Sequence, residues 1–303
     1  MQKSSFPLLK LPFLAIDKVF KIVNPRDLID LTMISSKFKK TLELHQLSVF
    51  AFHVIIGAAY TGISIECEKS MDIEAYYPMD PFEPRSWKIR KIDGEDVMSI
   101  SCGFERKFKA KNKTNEAKMQ LLETLCSHLL SFLKVEHFNF SCRREMNFSQ
   151  LFFWKFTQNL GFLKVVPIAD SQLQVSPEDL KFLLEELTTA HLQLRVYCPG
   201  TKYSNSIKSE VIHIDDSSWV DFKNISIDSE TTHVDFYIKQ EIDESDINRL
   251  IKEWIEGKSE KLVYLRFSWR NFIGNCKEMT KNYGKISFWK ILDGLVQKRT
   301  QFT

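Results

Sequence analysis

Residues 6–42, FPLLKLPFLAIDKVFKIVNPRDLIDLTMISSKFKKTL, contain three short helices in under forty residues. Leu11-Pro12 opens the first, because proline fits the first turn of a helix, where its missing N–H costs nothing. Ile16, Val19, Phe20 and Val23 then recur at i, i+3, i+4 and i+7, a single apolar stripe. Asn24-Pro25 ends that helix and begins another. Asn24 is placed to cap, Pro25 to occupy the first position, and Asp27 to sit in the positive first turn. Leu28 and Leu31 carry the buried face of this second helix. Ser35 or Ser36 caps a third, with Phe38 and Leu42 on its apolar side. Three helices this short cannot cover so much apolar surface among themselves. They need a second surface, from the same chain or from a partner.

Outward from this stretch, composition excludes several classes. The chain has 303 residues, enough for about two domains. It is 44% hydrophobic and 27% charged with a net charge of +3, a near balance without the signature of a polyanion binder. Its 24 phenylalanines point to thick aromatic packing. The six cysteines (Cys67, Cys102, Cys126, Cys142, Cys198, Cys276) form no C-x-x-C pair and have no histidine at zinc spacing, which predicts free thiols in a reducing compartment. Pro7, Lys10 and Pro12 interrupt the only N-terminal apolar run, so no signal peptide is expected. Val49–Ile65 is long and nearly uncharged. Its glycines, Gly57 and Gly62, and its β-branched residues predict a buried hairpin rather than a membrane span.

The segment 46–134 reads as β structure followed by a connecting helix. Strands are expected at Val49–Ile56, Ile63–Cys67, Ile73–Tyr77, Ser86–Ile92 and Asp96–Lys111, with Asp93-Gly94 as a hairpin turn. Lys107, Lys109, Lys111 and Lys113 recur at period two, opposite Phe104, Phe108 and Ala110. This is expected to be a charged edge strand that discourages sheet-to-sheet pairing. A nucleic-acid stripe is the rival reading, weakened because no second basic cluster joins it. Thr114 caps a long helix whose stripe is Leu122, Leu125, Cys126, Leu129 and Leu133.

From Val135 onward short strands recur at intervals of 18 to 29 residues: Val135–Phe140, Leu163–Ile168, Leu192–Tyr197, Glu210–Ile214, His233–Ile238 and Leu262–Phe267. Helices are expected in most gaps. Ser176-Pro177-Glu178-Asp179 and Asp243-Glu244-Ser245-Asp246 are helix starts, and Gly257 is a helix end. Strand-then-helix at this period predicts a degenerate leucine-rich-repeat-like solenoid, with an irregular α/β sandwich as the alternative. The fold class is therefore α+β / α/β: three helices, a small β-rich segment, then the repeat-like region.

Two stretches resemble a known family. Leu11-Pro12, Ile16, Val19, Phe20, Asn24-Pro25-x-Asp27-Leu28 and a serine followed by Lys37-Phe38 look like an F-box. Phe6-Pro7-Leu8-Leu9-Lys10-Leu11-Pro12 resembles the opening of nematode F-box proteins that carry a type-2 F-box-associated domain. Further on, His213-Ile214-Asp215-Asp216-Ser217-Ser218-Trp219-Val220, then Ile247-Asn248-Arg249-Leu250-Ile251-Lys252-Glu253-Trp254, then Leu262-Val263-Tyr264-Leu265 follow the order of that domain. This second likeness covers residues 210–267. It departs from the pattern at residues 221–232, DFKNISIDSETT, whose missing leucines predict a shortened or lost helix. The resemblance implies an F-box over residues 1–45 and a substrate-binding domain over 135–303. It also implies a Skp-type adaptor and, through it, a cullin as partners, with a cytoplasmic or nuclear location. The residues implied for adaptor contact are Leu11, Pro12, Ile16, Phe20, Leu28 and Leu31.

No catalytic set is legible: nucleophile elbow, P-loop, G-x-G-x-x-G and H-E-x-x-H are all missing. His213, His233, Asp215 and Asp235 would form a metal or acid–base site if brought together, but a polar strand face is the expectation. No cofactor, no metal and no enzymatic activity are expected. Trp219 and Trp254 are expected as core anchors, and Trp269 and Phe272 as exposed anchors for an unidentified protein target. The rivals to a ligase receptor are an interaction scaffold, a nucleic-acid binder using the lysine stripe, and an enzyme with an unrecognised site.

Overall fold

A computed structural model describes residues 11–57, 60–67, 71–76, 87–102, 105–112, 114–142, 147–156, 160–168, 172–238, 243–269 and 295–297. The fold is mixed α/β, with six α-helices among the described residues. The chain divides into two compact units, 1–141 with 152–156 and 142–151 with 157–303.

The first unit opens with α1 (Phe13–Ile22), α2 (Pro25–Thr32) and α3 (Ser36–His45). Their boundaries follow from local chemistry. Asn24 accepts a hydrogen bond from the Arg26 amide at 3.1 Å, with Pro25 in the first turn. Ser35 accepts from the Phe38 amide at 3.2 Å. Strands β1 (Leu47–Ile56) and β2 (Thr61–Glu66) form an antiparallel hairpin with Ile56 opposite Thr61, so the apolar run 49–65 is two strands of a sheet. Among the described residues no helix is long and apolar enough to cross a membrane. Then come β3 (Met71–Tyr76), β4 (Lys88–Ile92), β5 (Glu95–Cys102), β6 (Glu105–Lys109), α4 (Asn115–Leu130) and β7 (Leu133–Cys142), in the sheet order β7-β1-β2-β3-β6-β5-β4. Asp93 and Gly94 both adopt positive φ in the two-residue turn that joins β4 to β5, the geometry an Asp-Gly pair favours. Thr114 caps α4 through the Ala117 amide at 3.1 Å, and Leu122, Leu125, Cys126 and Leu129 are fully buried.

The lysine strand differs from expectation. Residues 96–111 form two strands, and β6 lies inside the sheet, parallel to β3 and antiparallel to β5. Among the described residues the edge is β4. Period two could not reveal this, because alternation shows which face a residue takes but not how many neighbours a strand has. Lys113 and Phe104 lie outside the described residues.

Two polar clusters, one around buried Arg106 and one around buried His128, join the helices to the sheet of this unit. Arg106 on β6 makes a fork onto Asp30 of α2, with Nε at 3.0 Å and Nη2 at 2.5 Å. His128 of α4 is almost wholly buried; its Nδ1 lies 3.1 Å from Asp93 and its Nε2 lies 3.0 Å from the Thr32 hydroxyl. Lys39 of α3 also pairs with Asp93. Burial holds His128 below the ordinary imidazole value, against the opposing pull of Asp93 and Glu43 and with that of Lys39. An unfolded chain would therefore take up this proton first as pH falls. The stabilisation by neutral His128 is complete above about pH 6.5 and is lost as pH drops below it. Partial desolvation raises Asp93, but Lys39 and His128 outweigh it and hold this carboxyl below its usual value, which adds a further loss at more acid pH. The thermal midpoint of the first unit is expected to fall between about pH 7.5 and 5.5. The fall should shrink in His128→Gln, as differential scanning calorimetry would show.

The second unit contains β8 (Leu160–Pro167), α5 (Pro177–Lys181), β9 (Thr189–Leu194), β10 (Ser209–Ile214), β11 (His233–Ile238), α6 (Glu244–Ile255), β12 (Tyr264–Trp269) and β13 (Leu295–Gln297). The strands from β8 to β12 are all parallel and lie side by side in chain order, and β13 pairs antiparallel with β12. Ser176 caps α5 through the Asp179 amide at 3.0 Å, and Asp243 caps α6 through the Ser245 amide at 2.9 Å. Helices fill fewer gaps than expected. α5 is only 5 residues long and runs on as a π-helical turn at Phe182–Glu186, and the crossovers from β9 to β10 and from β10 to β11 contain no described helix. Those crossovers instead pair with each other through parallel bridges, Tyr203 to Val220 and Ile207 to Ile227.

Candidate functional site

Two surfaces hold the residues singled out above. The first is the α1–α3 module. Ile16, Phe20 and Leu28 are 5%, 5% and 1% exposed. Phe20 packs edge-on against Phe38 and His45, at 5.5 and 5.2 Å between ring centres. These three side chains are part of the unit's own core and present no area to a partner. Leu11 is half-buried, while Pro12 and Leu31 are exposed. Other apolar side chains of the module face solvent: Leu14 at 75% and Ile22 at 83% on α1, and Ile34 at 61% in the turn between α2 and α3, with Phe13 also exposed although its ring stacks on His45 at 3.9 Å. The stripe rule located the apolar face of α1 and stopped there. Leu14 and Ile22 lie off that stripe, and their signal was simply that they are apolar where the helix had no need of them. Beside them a cavity of about 510 Å³ is lined by Phe20, Val23, Leu42, His45, Leu47 and Phe50. His45 Nδ1 is buried there without a hydrogen bond, 3.8 Å from Asp17.

The second surface is the parallel sheet of the second unit. On each strand alternate residues are buried, and the others form a half-exposed face. Register places Lys164, Gln193, His213, Asp235 and Arg266 in one row across five strands, and Phe162, His191, Val211, His233 and Tyr264 in the next. The four residues considered as a metal or acid–base set do not converge. His213 Nδ1 lies 3.7 Å from Asp235, while Asp215 accepts from Gln193 at 2.9 Å and His233 lies beside the Thr232 hydroxyl at 2.8 Å. No cluster of three or more metal-ligating residues occurs among the described residues. Trp269 ends β12, but its side chain and the whole of Phe272 lie outside the described residues.

Behind this face the fold is pinned by two buried tryptophans. Trp219 follows β10 and donates from Nε1 to the Val196 carbonyl after β9 at 3.1 Å, so it ties one unit of the sheet to the next. The turn before it is closed by Ser217, whose amide and hydroxyl both donate to the Tyr237 carbonyl, at 3.2 and 3.0 Å. Tyr203 returns the tie. Its amide donates to the Trp219 carbonyl at 2.7 Å, its hydroxyl reaches Glu185 at 3.1 Å, and burial pushes its phenol well above the ordinary value. Trp254 on α6 donates to the Leu262 carbonyl at 2.6 Å, fixing the entry to β12.

Residues 221–232, where leucines were missing, contain turns and no helix. Arg249 of α6 compensates for this. One guanidinium nitrogen donates to the carbonyls of Phe222 and Ile225, both at 2.9 Å, and another pairs with Glu253 at 2.8 Å. Carbonyls that a helix would have satisfied within itself are met by a fixed, planar donor from the neighbouring element. Phe222 and Ile225 remain buried.

No curated protein and no solved structure matches the chain. The stretch with these ties, from Tyr203 through the Trp219 turn and α6 to Phe267 in β12, is matched by the model of the F-box associated family, residues 203–267.

Proposed function

We propose that the chain is the substrate-recognition subunit of a Skp–cullin–F-box ubiquitin ligase. The F-box associated match over 203–267 carries this reading. The helical module at the other end of the chain supports it, because α1–α3 leave Pro12, Leu14, Ile22, Leu31 and Ile34 in solvent. Apolar side chains in such number on one short helical module, its turns included, favour a protein partner, at roughly 25 cal/mol per Å² of buried apolar area less the costs of association. On this reading α1–α3 act as an F-box and dock a Skp-type adaptor, which links to a cullin. The consecutive parallel strands act as a degenerate leucine-rich-repeat-like solenoid that holds a target protein on its half-exposed face. The chain performs no covalent step and uses no cofactor. It raises the effective concentration of target beside the ubiquitin donor. Its place of work is then the cytoplasm or nucleus.

Co-expression with a Skp-type adaptor and size-exclusion chromatography test this. The wild-type chain should co-elute with adaptor. Pro12→Ala combined with Leu31→Ala should lose it, with circular dichroism unchanged because both side chains are exposed. Co-elution that survives the double variant, or a wild-type chain that stays monomeric beside adaptor, would overturn the ligase reading. The second outcome would favour a scaffold outside any ligase.

A further inference from the structure

The sheet of the first unit ends on β4, Lys88-Ile89-Arg90-Lys91-Ile92, which has a strand neighbour on one side only among the described residues. A lone edge offers a row of backbone N–H and C=O groups for a further strand. The side chains say what kind of strand would fit. β4 has three cations and no carboxylate. Lys88 and Lys91 are exposed. Ile89 is 71% exposed and stands opposite Met98 of β5, itself 39% exposed, and Met98 stands opposite Lys109 of β6. Beside this row a recess of about 560 Å³ is bordered by Met98, Lys109 and Lys111, by Ala117 of α4, and by the carboxylates of Glu95, Asp96 and Glu116, while Lys88 and Arg90 on the β4 edge itself have no acid opposite them on β5. β4 is thus a second basic strand of this sheet, separated from β6 by β5.

We infer that the β4 edge is a docking strand for an acidic, apolar-rich extended segment of a partner protein. Charge complementarity selects that occupant. A second copy of this chain would bring the same three cations face to face and be repelled. A nucleic acid would find aliphatic Ile89 and Met98 at the centre, which neither stack on bases nor bond phosphate. An edge charged only against aggregation has no need of an isoleucine in solvent. This inference does not depend on the adaptor or on the second unit.

The test is fluorescence anisotropy with the full chain and a labelled synthetic peptide of alternating aspartate and valine. Saturable binding is expected, weakening by at least about tenfold in Lys88→Glu/Lys91→Glu, and also in Ile89→Ser, a surface change that leaves the charge intact. Adaptor co-elution should be retained in both variants, which separates this outcome from the previous one. Binding that ignores both variants, equal binding of the matching lysine–valine peptide, or tighter binding of single-stranded oligothymidylate would overturn the proposal.

Discussion

Trp219→Ala is expected to lower the stability of the second unit by about 3–5 kcal/mol. The side chain is fully buried, so its removal leaves a cavity as well as lost transfer energy. It also leaves the Val196 carbonyl without its donor, a cost of about 1–3 kcal/mol that overlaps with the first. A domain stable by about 5–15 kcal/mol loses a large share of that margin. Urea unfolding followed by far-UV circular dichroism measures the change. Trp219→Phe separates the two causes: it keeps most of the ring but not the N–H, and should fall between wild type and alanine. A loss below about 1 kcal/mol for the alanine variant would mean that the turn between β10 and β11 is not a core element.

Arg106→Ala should cost the first unit about 3 kcal/mol. The guanidinium is 8% exposed and its fork onto Asp30 ties β6 to α2. Removing it strands a carboxylate in a half-buried place. Asp30 retains 24% exposure, which sets the expectation at the lower end for broken buried pairs. Arg106→Met with Asp30→Leu should recover much of the loss, because two apolar side chains need no partner. Hydrogen exchange would locate the effect: amides of α2 should lose protection in Arg106→Ala and regain it in the double variant. If α2 keeps its protection in Arg106→Ala, the pair is not what holds the helix.

Much of this architecture is legible along the chain, where the deciding chemistry spans only a few residues. Asn24, Ser35, Thr114, Ser176 and Asp243 each cap the helix they precede, because a cap needs only an amide two or three positions on. The Asp93-Gly94 turn is local in the same way, whereas of the parallel strands only β11 begins at the residue expected, His233. Trp219 and Trp254 were expected in the core, since large aromatics beside tight turns have few other places to go. The ties between elements are another matter. Asp30 and Arg106 lie 76 residues apart, and Thr32 and His128 lie 96 apart. Nothing near either partner announces the other.

By itself the sequence determined which residues start and stop helices, where strands recur, and which side of each element is apolar. Only the tertiary structure decided what covers those sides. It placed Ile16, Phe20 and Leu28 inside the chain's own core and left Leu14, Ile22 and Ile34 in solvent. It set β6 within the sheet and β4 at its rim. The reason is physical: hydrophobic attraction has no direction. A stripe of apolar side chains must be buried, but its spacing is the same whether the cover comes from the same molecule or from another.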